Sequence, residues 1–259
     1  MKQLMESWNK FINEIKDAPE KKLSSHKKQA AEAIANTLSA EDAFKDDATA
    51  LLEGEELPSP DVEYEKSDAS NPDEKIVERF FVSLNSGKRS GFLTYYKKDA
   101  LKEMNLFLVK GHNAGFAIKK DGDIVSVHNN SKLRGLASKF LSDAKKNGGT
   151  KLDHFDGFLS GLYRRYGFND VHEVYQWDEQ YEPKEWTYDP VDILNSKTSI
   201  YAEATANVED IDYDMEELKQ TNEQLEIKAE DGFKIEINPS EKFNQYNYGR
   251  PDVIFRRLK

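Results

Sequence analysis

The sequence predicts a mixed α/β fold with at least one parallel crossover, and three observations predict it. Strand-sized and helix-sized apolar patterns alternate between residues 106 and 176. An Asp121-Gly122 dipeptide separates two short apolar runs, as in a tight hairpin. An amphipathic stretch stopped by Gly148-Gly149 then lies between two further strand-like runs, as a crossover helix does.

In chain order, Leu4, Met5, Trp8, Phe11, Ile12 and Ile15 recur at helical spacing over residues 2–16, and Asp17-Ala18-Pro19 ends that helix. A second helix is expected over 24–37. Ser39 to Asp42 reads as a capping box that opens a short third one. These helices hold few large apolar residues, so an arm is expected rather than a second core. Residues 54–74 are acidic, with three prolines and few hydrophobes, and read as linker. Residues 76–84 (IVERFFVSL) read as strand, and a turn and a short helix follow up to residue 104.

Residues 106–109, 114–119 and 123–128 are strand-sized, with the hairpin between the last two. Residues 133–146 carry Leu133, Leu136, Ala137, Phe140, Leu141 and Ala144 on one helical face. A strand over 152–155, a helix over 158–166 ended by Gly167, and a strand over 171–176 complete the alternation. An acidic segment interrupts after Trp186. It has charged helical texture over 212–228 and strand-like alternation over 233–237, and a last strand is expected over 253–257. The organisation expected is a helical arm (1–53), an acidic linker (54–75) and one domain (76–259) with an acidic insertion at about 187–247.

Composition narrows the function classes. The 259 residues contain no cysteine, which excludes a disulfide scaffold, a thiol nucleophile and any cysteine-ligated metal. No apolar run spans a bilayer. The net charge of −11 is uneven: residues 46–74 and residues 203–241 each carry −10, which leaves +9 elsewhere. A basic body suits an anionic ligand such as a phosphorylated cofactor or nucleic acid, although lysines that only keep the surface soluble give the same balance.

Residues 123–137 (DIVSVHNNSKLRGLA) run from a strand through a loop to a glycine-containing helix start. Such a start offers unpaired N–H groups and the positive end of the helix dipole to an anion. Gly135 permits close approach, Ala137 is small enough not to block it, and Lys132 and Arg134 add charge. An ordinary strand–helix crossover fits the same residues.

Here the sequence resembles a family. Lys132-Leu133-Arg134-Gly135-Leu136-Ala137 is similar to the acetyl-CoA pyrophosphate loop of GNAT-type N-acetyltransferases, Q/R-x-x-G-x-G/A, with Lys in the first position. Leu162 to Phe168 (LYRRYGF) resembles the late helix of that family. Stretches 95–101, 121–125, 148–159, 181–186 and 249–255 resemble further motifs of a phage and prophage subgroup. The resemblance covers roughly residues 90–186 and 248–259. It implies an α/β (α+β) fold with a GNAT-like mixed, mostly antiparallel twisted sheet flanked by helices. It also implies acetyl-CoA as cosubstrate, with its pyrophosphate over the N–H groups of residues 133–137 and its pantetheine arm along the 123–128 strand. An amine would attack the thioester directly, with Tyr163 in the position that supplies the acid to the leaving thiolate; a tyrosine packed under the sheet is the rival role.

The base is open between His128, at the strand end, and Asp153, with Asp156 more suited to capping the helix near Gly157. A structural hydrogen bond is the alternative for His128, and His154 is expected on the opposite face from the two aspartates. The five histidines show no ligand spacing, so no metal is expected. Tyr181, Trp186, Tyr188, Tyr246 and Tyr248 cluster in sequence around the insertion, as core plugs or as stacking surfaces for nucleic acid.

The N-terminal helix is also similar to capsid-targeting segments of internal head proteins in tailed phages, and Ile12-Asn13-Glu14 and Leu51-Leu52-Glu53 fit their processing pattern. The function expected is therefore an acetyl-CoA-dependent N-acyltransferase acting on an unknown amine acceptor, such as a basic protein. The alternatives are a non-catalytic virion-associated or adaptor protein with capsid components as partners, and, third, a nucleic-acid-binding module. The location expected is the host cytoplasm or the virion.

Overall fold

The computed structural model describes residues 59–87, 90, 93–183, 186, 188, 199–200, 224–228 and 234–259. The expected arm over 1–53, its cleavage patterns and the helical texture over 212–223 lie outside the described residues.

The first strand lies inside the stretch expected to be linker. β1 (Tyr64–Ser67) pairs antiparallel with β2 (Asn105–Val109) as an edge strand. Its sequence, YEKS, has little apolar content, because an edge strand is held mainly by backbone pairing and one anchor. That anchor is Tyr64, whose ring meets Phe107 and Phe116 edge-on at 6.0 and 5.8 Å while its hydroxyl donates to Asp143.

Residues 76–84, expected as strand, lie in α1 (Glu74–Asn85). Asp73 caps α1 by accepting from the N–H groups of Lys75 and Ile76. Val77, Phe80 and Leu84 recur at helical spacing and are buried together. The aromatic and β-branched content suggested strand, but the cap and the period of the buried face decide for helix. α2 (Lys98–Lys102) packs beside α1.

β2, β3 (Ala114–Ile118) and β4 (Asp123–Asn129) form an antiparallel meander. Gly122 turns the β3–β4 hairpin at φ +82, and a Cβ there would strike Thr150 Oγ1 at 2.4 Å. α3 (Leu136–Lys146) crosses to β5 (Lys151–Phe155), which runs parallel to β4. α4 (Phe158–Arg165) crosses to β6 (Asp170–Tyr175), and the final strand β9 (Val253–Arg257) inserts antiparallel between β5 and β6. The result is a seven-stranded, mostly antiparallel mixed sheet, β1-β2-β3-β4-β5-β9-β6.

The inserted region adds a hairpin of β7 (Leu225–Lys228) and β8 (Lys234–Ile237), then α5 (Pro239–Asn247). Residues 225–228, expected as helix, are thus strand. α5 was not expected, although Asn238 as cap and Pro239 in the first turn are a helix-start pair.

Two apolar layers sandwich the sheet. α1 and α2 cover Leu106, Leu108, Ala117 and Val125 on one face. α3 and α4 cover Phe107, Val109, Phe116, Ile118, Ile124 and Leu152 on the other. Both crossover helices, α3 and α4, lie on this one face.

The sheet has a fork. β4 and β5 pair at only two positions, Asp123 with Lys151 and Ile124 with Leu152. β5 then pairs with β9 along its whole length. The edge of β4 that faces β5 therefore has no strand partner among the described residues from Val125 onward.

Candidate functional site: a forked sheet and a helix start

The fork brings the first sequence-predicted residues together. At Ser126 the β3–β4 register slips, so that Ala117 pairs with Val125 but Gly115 pairs with His128. The extra residue forms a β-bulge, and Ser126 adopts a left-handed conformation at φ 55, uncommon for a non-glycine residue. Its hydroxyl is buried and has no hydrogen-bond partner among the described residues. Ordinary alternation in DIVSVH hides this bulge from the sequence.

His128 clamps the bulge. Its Nδ1–H donates to the Ser126 carbonyl and its Nε2 accepts from the Ser83 hydroxyl, both at 2.8 Å. Phe80 closes on the ring edge-on. Burial lowers its pKa to about 4, so the ring is neutral at physiological pH. Both nitrogens are engaged within the protein, which is the structural-hydrogen-bond alternative for this residue.

After β4 the chain forms a fixed loop. Asn129 Oδ1 accepts from the Ser131 N–H and hydroxyl, its Nδ2 donates to Leu133 O, and the Leu133 N–H donates to Ser131 Oγ. Gly135 then caps α3 in the left-handed conformation, φ 73. A glycine cap has no side-chain acceptor, so the first-turn N–H groups of α3 receive no side-chain cap. Lys132 and Arg134 stand exposed around this start, Leu133 packs partly into the core, Leu136 is buried and Ala137 is half-buried. α3 begins at Leu136, three residues later than its sequence periodicity suggests, because residues 133–135 form the loop.

On the other arm of the fork, the side chains of β5 divide by face. Leu152 and His154 point to the α3/α4 side, and His154 stacks obliquely on Tyr163 at 5.0 Å. Asp153 stands on the opposite side and is exposed. Desolvation by its neighbours raises its pKa, and the nearby Asp123 charge adds to the rise. The Tyr163 side chain is buried. Burial and the Asp153 charge hold its pKa above the ordinary phenol value, so the proton is retained at neutral pH. His154 accepts from Arg256 Nε at 3.1 Å, and burial together with the Arg256 charge lowers its pKa to about 3.

Asp156 has a different task. Its buried carboxylate accepts from the Gly157 and Ile200 N–H groups and from the Ser160 and Tyr246 hydroxyls. It serves the start of α4 and also anchors α5. Next to it Lys242 donates to Asp252 at 2.5 Å, and Gln245 Nε2 donates to the same carboxylate at 2.8 Å. Tyr246 is fully buried in this network. It does not belong with the other aromatics of the insertion points.

Those aromatics form a packed group. Trp186 lies 5.0 Å from Phe155 and 4.7 Å from Trp177, and its indole N–H donates to Gly249 O. Arg250 sits over the Tyr188 ring at 4.9 Å. Tyr181 and Tyr248 remain exposed. Among the described residues there is no group of three or more His, Asp or Glu side chains that could hold a metal ion, and no helix is long and apolar enough to cross a membrane.

Comparison with family models, with curated proteins and with solved structures finds no match to this chain.

Proposed function

We propose that this protein is an acetyl-CoA-dependent N-acyltransferase acting on an amine acceptor. The fork carries the reading. The unpaired edge of β4 offers backbone donors and acceptors to an extended, amide-bearing ligand, in the manner of an added strand. The same strand leads through the fixed loop into a helix start without a side-chain cap, flanked by Lys132 and Arg134. An amide-containing arm that ends in a pyrophosphate fits both features, and pantetheine with its nucleotide has that chemistry. The sheet order and the loop residues 132–137 support the GNAT resemblance.

In this reading the acceptor nitrogen forms a bond to the thioester carbonyl carbon and the carbon–sulfur bond breaks. The thiolate takes a proton, for which the Tyr163 hydroxyl is the candidate donor, and the amine proton leaves to a base. Asp153 is the candidate base, since its raised pKa makes it a stronger one. His128 has no open nitrogen for that role.

A second reading, a GNAT-like domain without catalysis in a virion or adaptor role, draws support from that engagement of His128 and from the use of Asp156 as an anchor. Calorimetry separates the outcomes. Acetyl-CoA releases heat on binding to the wild type and not to Gly135→Trp. Absence of binding at near-millimolar acetyl-CoA overturns the proposal.

A further inference from the structure

We infer that the cavity between β6, β8 and α5 binds a small neutral carboxamide, with Lys242 donating to its carbonyl and Asp252 accepting from its N–H. The site is separate from the fork, because no residue lining it belongs to β4, the loop at 132–137 or α3. The topology explains why a cavity forms here. The seven-stranded sheet ends at β6, whereas β8 belongs to the two-stranded hairpin. Both strands line the gap without pairing to each other, and Lys242 and Tyr246 of α5 line it too. Its volume is about 180 Å³. A void of about 150 Å³ accepts a benzene-sized molecule. Val174, Ile200, Ile235 and Ile237 supply apolar wall for the body of such a ligand.

The polar wall sets the chemistry. Lys242 donates to Asp252 Oδ2 and to Gln245 Oε1, and Gln245 Nε2 donates back to Asp252 Oδ1 at 2.8 Å. An ammonium has three N–H groups, and a carboxylate has about four acceptor positions. Among the described residues the ring therefore leaves one donor and about two acceptor positions open on neighbouring buried groups. A carboxamide offers the matching acceptor and donor on adjacent atoms. Charge decides against an ion. Asp252 and Glu236 line the cavity, and Asp156 accepts from the Tyr246 hydroxyl at 2.9 Å. Lys234, the other cation of the lining, is paired with Glu226 on β7. An anion would join these carboxylates, and a cation would lie against the buried Lys242 ammonium. A neutral ligand meets neither penalty. It touches β6 on one side and β8 and α5 on the other, so its binding stabilises the docked insertion.

Isovaleramide tests this against isovalerate and isopentylamine, which share its branched body but carry a negative and a positive charge. The readout is the backbone amide resonances of the full chain, labelled with nitrogen-15. Isovaleramide shifts residues 174–176, 235–237 and 246 saturably, with a Kd of about 1–10 mM, ordinary for a probe of about seven non-hydrogen atoms. The two ions give no saturable shift there. In the Lys242→Met, Asp252→Asn double variant the Kd for isovaleramide rises about tenfold or more, the loss expected for a hydrogen bond from a charged donor. Absence of a saturable shift with isovaleramide, equal shifts from all three compounds, or an unchanged Kd in the double variant overturns the inference.

Discussion

The two halves of the sheet are stabilised differently. The half built from β1 to β4 is apolar: Phe107, Phe116, Leu106, Leu108, Val77 and Phe80 fill its two faces. The half built from β5, β9 and β6 buries charge: Asp156, Asp170, Asp252, Lys242 and Arg256 are all nearly free of solvent contact. An apolar core needs only neighbours of the right shape, whereas a buried charge needs a named partner. The inserted α5 supplies several of those partners, so the polar half is complete only with the insertion docked. The fork lies where the two halves meet.

The largest effects test that contrast. Phe116→Ala costs about 3–5 kcal/mol through the cavity it leaves, and Lys242→Ala costs about 3–5 kcal/mol by leaving Asp252 unpaired; urea unfolding measures both. The difference lies in the rescue. A Lys242→Met, Asp252→Asn double variant regains most of the loss, because the uncompensated charge is gone. No second substitution of a polar partner rescues Phe116→Ala. A double variant as unstable as Lys242→Ala contradicts the contrast.

Titration sharpens it next. His128 is neutral when folded, with a pKa of about 4 against 6.5 when unfolded. The unfolded chain binds the proton first, so this contribution is present above pH 6.5 and is lost as pH falls toward 4. It amounts to roughly 3 kcal/mol. His154 acts in the same direction down to about pH 3. Asp156 works against them, because burial raises its pKa to about 6. Its contribution is present below the unfolded value of 3.8 and is lost as pH rises through 6. Two histidines outweigh one aspartate, so stability falls from pH 6.5 to 4. Denaturant midpoints across that range should decline less steeply in His128→Gln and more steeply in Asp156→Asn; parallel curves for wild type and variants contradict these assignments.

Smaller effects mark the edges of each half. Tyr246→Phe deprives the Asp156 carboxylate of one donor and costs about 1–2 kcal/mol. On the apolar side, Lys110→Ala removes an exposed pair with Glu63 and changes the midpoint by less than about 0.5 kcal/mol.

The two halves also differ in how far the sequence announced them. β2 to β6 and the two crossover helices were legible, because each has an apolar face of its own period. So was the loop at residues 132–137, where glycine and charge meet a helix start. α1 was read as strand because IVERFFVSL is rich in β-forming types, although Asp73 and the spacing of Val77, Phe80 and Leu84 carried the helical signal. β1 was concealed by its polar composition, since an edge strand needs little more than Tyr64. The Asp156 anchor was out of reach: its partners Ile200 and Tyr246 lie 44 and 90 residues away, and no local pattern links them. The Ser126 bulge interrupts the pairing and not the alternation, so only the register reveals it.

The central claim is that the ligand lies along β4 and at the start of α3. Amide hydrogen exchange with and without acetyl-CoA tests it most directly. The account predicts slowed exchange in residues 125–129 and 133–138, with β8 and α5 unchanged. Slowing confined to the β8–α5 region, or no slowing at saturating ligand, would contradict it.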